Sequence, residues 1–350
     1  MKKLVLLALL CLMSLPSFSQ ARFFTWTHYP KDGDLKSYFE ELHDVGIDGI
    51  LVNSSAEKIK EMLPMAKKYG IEVHAWIMVM SNAEIAKAHP EWLDYNRLGQ
   101  SLAKKKAYVD YYKFLNPIIP GVQTAILEQL KAFTVLKGLK SISLDYCRYV
   151  DAILPTSLWP KYGIKQDKVY PEWDYGYHPA MLEAFEKEYG YDPRNQEDVN
   201  GDEKWHQFRM TALNKFVKRI QQMAHADGKL VTASPFPTPE MSRQMVYQDW
   251  GAWQLDKAFP MIYNGFYYGD IEWITNCVKA CVHQTTPPTE IYVGLFTDDF
   301  KQEKGSLSKA IKSSIQAGAK GFSLFMFASM DAAQKQELKT LIQELKRKTR

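Results

Sequence analysis

Ser141-Ile142-Ser143-Leu144-Asp145-Tyr146-Cys147-Arg148-Tyr149 stands near the middle of the chain. Ile142 and Leu144 occupy one parity, and the small Ser141 and Ser143 occupy the other, which ends in Asp145. Alternation with period two is the pattern of a strand. A carboxylate at the C-terminal end of a buried parallel strand is where barrel enzymes carry catalytic groups. The fold therefore turns on whether the flanking sequence supplies the remaining strands of a barrel.

It supplies seven more. Strands are predicted at 23–28, 49–53, 72–78, 141–146, 230–234, 258–263, 291–296 and 321–327. Between and after them, apolar residues three and four apart predict helices at 35–45, 56–69, 121–134, 205–226, 239–253, 271–282, 306–317 and 332–346. Gly70, Gly228 and Gly318 stand where helices should stop. Eight β–α units in series predict an α/β fold, a (β/α)₈ TIM barrel, with a doubly wound open sheet as the alternative. Two excursions break the rhythm, at 82–117 after the third strand and 150–202 after the fourth. Both leave from C-terminal strand ends, where long loops serve as lids or binding loops.

The first residues belong to export rather than to the barrel. Lys2 and Lys3, the apolar run 4–12 and the small residues at 17–19 predict a signal peptide over 1–19, followed by one barrel domain over 22–350. Leu10 before Cys11 argues against a lipid anchor. No other run approaches the roughly 20 apolar residues of a membrane helix, so an exported protein in the periplasm or outside the cell is expected. The net charge of +4 is modest and concentrated in the terminal Lys346-Arg347-Lys348-Thr349-Arg350, which speaks against a nucleic-acid partner. Aromatics make up 13% of the chain, with 9 Trp and 20 Tyr, a supply suited to stacking on sugar rings or to a large core. Cys277 and Cys281 lie four apart on a predicted helix, a poor geometry for a disulfide.

Carried along each strand, the alternation brings polar residues to one end of the barrel axis. His28, Asn53, His74 with Trp76, Asp145, Tyr263 and Asp298 fall on the inward parity. Asp145 reads either as a catalytic carboxylate or as a structural partner of Arg148. Hydrolysis of a glycosidic bond needs a second carboxyl group, and Asp298, Asp299, Asp249, Glu172 and Asp174 are candidates. Asp298 and Asp249 are the leading two beside Asp145. His28 and His74 could join Asp145 around a metal, but no His-x-His or His-Glu-x-x-His spacing is present, so neither a metal nor another cofactor is expected. Phosphate-loop, dinucleotide and Gly-x-Ser-x-Gly fingerprints are absent as well.

Seven motifs follow in order: Gly46-Ile47-Asp48-Gly49-Ile50-Leu51-Val52-Asn53, Val73-His74-Ala75-Trp76, His89-Pro90-Glu91-Trp92, Leu115-Asn116-Pro117, Leu144-Asp145-Tyr146-Cys147-Arg148-Tyr149, Gln248-Asp249-Trp250 and Pro260-Met261-Ile262-Tyr263. Together they resemble the glycosyl-hydrolase-like ten family of exported bacterial proteins, over residues 22 to about 330. The resemblance implies a TIM barrel acting on a polysaccharide, in some relatives the glycan strands of peptidoglycan, with Asp145 as the leading catalytic residue. Such proteins usually read Asp-Tyr-Ile-Arg-Tyr-Pro where this chain has Cys147 and Val150, so contacts beyond Val150 do not transfer. The expected substrate-binding set is His28, Asn53, His74, Trp76, Asn116, Arg148, Trp173 and Tyr263. A glycan-binding barrel that has lost catalysis and a metal-dependent hydrolase are the alternatives.

Overall fold

The computed structural model describes residues 21–348; the predicted signal peptide lies outside them. Parallel strands follow one another as β1 (Arg22–His28), β2 (Gly49–Asn53), β3 (Glu72–Met78), β4 (Ser141–Asp145), β5 (Leu230–Ala233), β6 (Lys257–Ala258), β7 (Glu290–Ile291), β8 (Val293–Phe296) and β9 (Gly321–Phe325). Their order in the sheet is β7-β6-β5-β4-β3-β2-β1-β9-β8. The two ends of that order, β7 and β8, are halves of one predicted strand that bends at Tyr292. The sheet thus curls into a nearly closed barrel with helices around it, as the eight β–α units predicted.

Local chemistry sets the element boundaries. The helix Ala56–Tyr69 starts where Ser55 accepts from the Lys58 N–H and stops at Gly70, whose φ of +68° suits glycine. The predicted helix 239–253 is shorter in the structure, Pro239–Val246, because Tyr247 turns left-handed (φ +48°) and the Gln248 backbone N–H donates back to the Ser242 carbonyl instead of continuing the helical ladder. Strand β6 covers two residues because Pro260 has no N–H to continue a ladder. Closure continues beyond it by single bonds, with the Gly294 N–H donating to the Pro260 carbonyl and the Ile262 N–H to that of Gly294.

Two apolar shells hold the barrel. The outer one fills the space between strands and helices. The inner one lies on the axis and contains Phe24, Trp26, Leu51, Trp76, Phe259 and Tyr292. Each such side chain contributes roughly 1.5–3 kcal/mol on full burial. These residues share the parity expected to face inward, so the register of β1, β2 and β3 is the one read from the alternation. Register also fixes the top of the barrel: His28 lies opposite Asn53, and Met78 opposite Asp145.

The βα connections are unequal. After β1, β2 and β9 they span 29–34, 54–55 and 326–331. After β3 and β4 they are the two long excursions, which interlock: the Arg97 N–H donates to the Asp174 carbonyl, and the Tyr177 N–H to that of Tyr95. Beneath them, Asp174 gathers Arg209 (2.7 Å) and the hydroxyls of Tyr177 (2.7 Å) and Tyr247 (2.8 Å).

Candidate active site

Asp145 ends β4 at 6% exposure. Its Oδ2 accepts from Trp76 Nε1 at 2.8 Å and its Oδ1 from the Tyr146 N–H at 2.6 Å. Burial pushes the Asp145 pKa up, against the opposing pull of those two bonds and of the nearby Arg148 charge. Tyr146 takes a left-handed φ of +48°, uncommon for a non-glycine residue, so the chain leaves the strand sharply just past the carboxylate. Above Asp145 opens a cavity of about 390 Å³. Trp26, Trp76, Phe296 and Phe325 line its floor, and Tyr111, Tyr146, Tyr162 and Tyr263 stand around it.

Arg148 is not the structural partner of Asp145. Its ion pair is with Asp151 at 3.3 Å, and its guanidinium also donates to the Tyr149 carbonyl and the Tyr112 hydroxyl. The rings of Tyr146 and Phe236 face it at 5.0 Å each. The hydroxyls of Tyr108 (2.6 Å) and Tyr112 (2.8 Å) donate to the other oxygen of Asp151. Arg148 and Asp151 therefore form a compensated pair that joins the two long loops beside Asp145.

Of the residues predicted to converge, Asp145, Trp76, Arg148 and Tyr263 line the cavity. Others lie elsewhere. His74 is wholly buried inside the barrel, with Nδ1 2.6 Å from Ser141 Oγ; burial lowers its pKa and favours the neutral ring. Asn53 donates to the Trp76 carbonyl at 3.0 Å and so positions β3. His28 is exposed, with its ring 5.7 Å from that of Trp76. Asn116 is buried and donates to Asp94 at 2.9 Å, fastening the loop after β3. Trp173 packs edge-on against Tyr108, one layer behind the wall.

Both leading second carboxylates lie outside the cavity lining. Asp249 does not line the cavity; it pairs with Arg243 at 3.2 Å and accepts from Asn214. Asp298 is exposed and pairs with Lys301 at 2.6 Å. Its neighbour Asp299 is half-buried and does not line the cavity either; it accepts from the Gly265 N–H at 2.9 Å, behind the segment that carries Tyr263 and Phe266. Burial and the adjacent Asp298 charge raise its pKa. Burial pushes the Tyr263 hydroxyl's pKa well up, and the charges of Asp145, Tyr146 and Asp299 act in the same direction. Asp151, Tyr108 and Tyr112 escaped the sequence reading because only the folded loops bring them to β4; the one local signal was the run Asp110-Tyr111-Tyr112. Among the described residues, no group of three His, Cys, Asp or Glu side chains could hold a metal ion.

No family model and no curated protein matches the chain. Solved structures do. An α-L-fucosidase isoenzyme from Paenibacillus thiaminolyticus has 14% identity and a TM-score of 0.59 over 93% of this chain and 49% of its own. A cold-adapted β-galactosidase from Rahnella sp. R3 has 10% identity and a TM-score of 0.61, covering 93% of this chain and 56% of its own. A GH36 α-galactosidase from Geobacillus stearothermophilus has 10% identity and a TM-score of 0.53, covering 95% and 42%. The chain spans about half the length of these proteins. What it has in common with these glycoside hydrolases is their barrel fold.

Proposed function

We propose that the protein is an exported glycoside hydrolase, of the kind the glycosyl-hydrolase-like ten motifs imply, that cleaves O-glycosidic bonds of a polysaccharide or oligosaccharide. The observation that carries this is Asp145, a buried strand-end carboxylate held by two N–H donors at the floor of an aromatic cavity. Those two bonds and the Arg148 charge oppose the burial that raises its pKa, and its ionised form would face the anomeric carbon as nucleophile or base. The second carboxyl in this reading is Asp299, held on the Gly265 N–H next to the cavity-lining Phe266, where burial raises its pKa in the direction a proton donor to the leaving oxygen needs. Aromatic faces suit the C–H faces of a sugar ring, and the neighbouring solved structures carry names of sugar hydrolases.

Asp145→Asn is expected to lower kcat/KM on a cleaved glycan by about 10²–10⁴-fold, and unchanged turnover would remove Asp145 from the mechanism. Asp299→Asn separates the roles. An aryl glycoside with an acidic leaving group needs little protonation, so it should lose far less rate than the glycan does.

A catalytically silent glycan binder is the second reading. It is favoured by Asp151, the other carboxylate lining the cavity, which is saturated by Arg148, Tyr108 and Tyr112. Glycan binding without any cleavage by the intact protein would select it.

A further inference from the structure

The helix Glu203–Ala226, which leads from the loop after β4 to β5, has an unusual charge pattern. Glu203 is its first residue and its only acid. Lys204, Lys215, Lys218 and Arg219 follow on its exposed side. None of them has a carboxylate three or four residues away on the helix to pair with.

Two hollows open along this side of the helix, outside the barrel, and they meet. One, of about 490 Å³, lies between Lys218 and Gln222 on the helix and Ala252, Trp253 and Gln254 on the segment before β6. The other, of about 200 Å³, lies between Gln207 and Phe208 and the ring of Tyr189, which ends the helix Pro179–Tyr189. Thr211 and Lys215 line both, so the two form one groove. From Gln207 to His225 it follows the helix for roughly 27 Å, at 1.5 Å per residue.

The wall facing the helix is fixed by the fold. Trp253 Nε1 donates to Asn214 Oδ1 at 2.6 Å, and Gln221 Nε2 donates to the Trp253 carbonyl at 2.6 Å. The acids nearby already have partners: Asp249 holds Arg243 and Asn214, and Asp256 meets His225 at 2.9 Å. Glu188 is the acid lining the groove, and it stands at the Tyr189 end. Among the described residues, Lys215 and Lys218 have neither an ion pair nor a hydrogen bond. A cleft lined by one sign of charge concentrates ligands of the other. The exposed amides of Gln222 and Gln254 add a donor and an acceptor each, the complement of a hydroxyl. Anionic groups repeated along a hydroxyl-rich chain fit this combination.

We propose that the groove is a second carbohydrate site, apart from the cavity over Asp145, which holds a strand of an acidic polysaccharide against Lys215 and Lys218. Choosing a glycan among polyanions rests on the hydrolase reading; the location and charge of the site do not. Carboxylate and sulfate substituents share this chemistry, and the experiment separates them.

Calorimetry of the intact protein would titrate polygalacturonate, dextran sulfate and neutral dextran. Binding of at least one acidic polymer and not of dextran is expected, weakening as salt rises because exposed charges are screened. Lys215→Gln with Lys218→Gln should weaken that binding about 3–30-fold. Lys60→Gln with Lys87→Gln removes the same charge from exposed positions on other helices and should leave it unchanged. Equal binding of dextran, equal losses in the two double variants, or no binding of either acidic polymer would overturn the inference. Turnover does not enter the measurement. Groove-dependent binding by a protein that cleaves no glycan sinks the hydrolase and leaves the inference standing, while cleavage without groove-dependent binding does the reverse.

Discussion

Asp145 is pulled in opposite directions by burial and by its two N–H donors, and Trp76 Nε1 is the donor that a substitution can remove. Trp76→Phe leaves the carboxyl buried with one bond fewer, so its pKa rises further. The acid limb of the kcat/KM profile of the proposed hydrolase should then move to higher pH, since ionised Asp145 is needed and forms later. An acid limb that stays in place would exclude Asp145 as the group that must be ionised. Asn53 holds the backbone of Trp76 from below. Asn53→Ala should therefore lower kcat more than it raises KM, because it acts through another residue rather than on the glycan.

At the scale of elements, the two long loops are fastened by buried charge. Asp174 faces Arg209 at 2.7 Å with both groups out of water. Arg209→Met would leave the buried carboxylate with two hydroxyl donors and the more distant Arg97 at 3.7 Å, and is expected to cost about 3–5 kcal/mol, read from urea unfolding. Asp94 behaves differently. It accepts from Asn116 and from the Tyr95 N–H on one oxygen, while the other oxygen is buried without a partner. Burial pushes its pKa up to about 6. The folded state thus keeps a proton that the unfolded chain gives up near its ordinary value of about 3.9, and stability falls as pH rises from there through 6. Asp94→Asn keeps the paired oxygen and removes the charge. It should match the parent near pH 3 and exceed it by about 1–3 kcal/mol at pH 7. These contacts were not legible in the sequence. Asp94, Asp174 and Arg209 lie far apart along the chain, and Asn116 read as a sugar ligand because its burial is a tertiary fact. The strands were legible because alternation is local: β2 and β3 run over the residues predicted for them.

For the whole molecule, the critical step is closing the ring. A Cβ on Gly294 would come within 2.6 Å of the Pro260 carbonyl oxygen and 2.9 Å of the Trp26 ring. Gly294→Ala should therefore cost about 1–3 kcal/mol, seen as a lower thermal midpoint. Asp145 ends β4, two strands from β6 at that seam, and its address could be read from one nonapeptide. Its proposed partner could not, because only the folded turn at Gly265 shows which of two adjacent aspartates, Asp298 or Asp299, its N–H holds.

The unequal loops around the rim have one more consequence. The walls rise after β3, β4 and β6, where the cavity is lined by Tyr111, Leu158 and Phe266, and they are low after β9, β1 and β2. In the proposed hydrolase, a glycan longer than the cavity would leave over that low rim, on the side of His28, with its scissile bond over Asp145. The lopsided rim would give the protein a reading direction along its substrate.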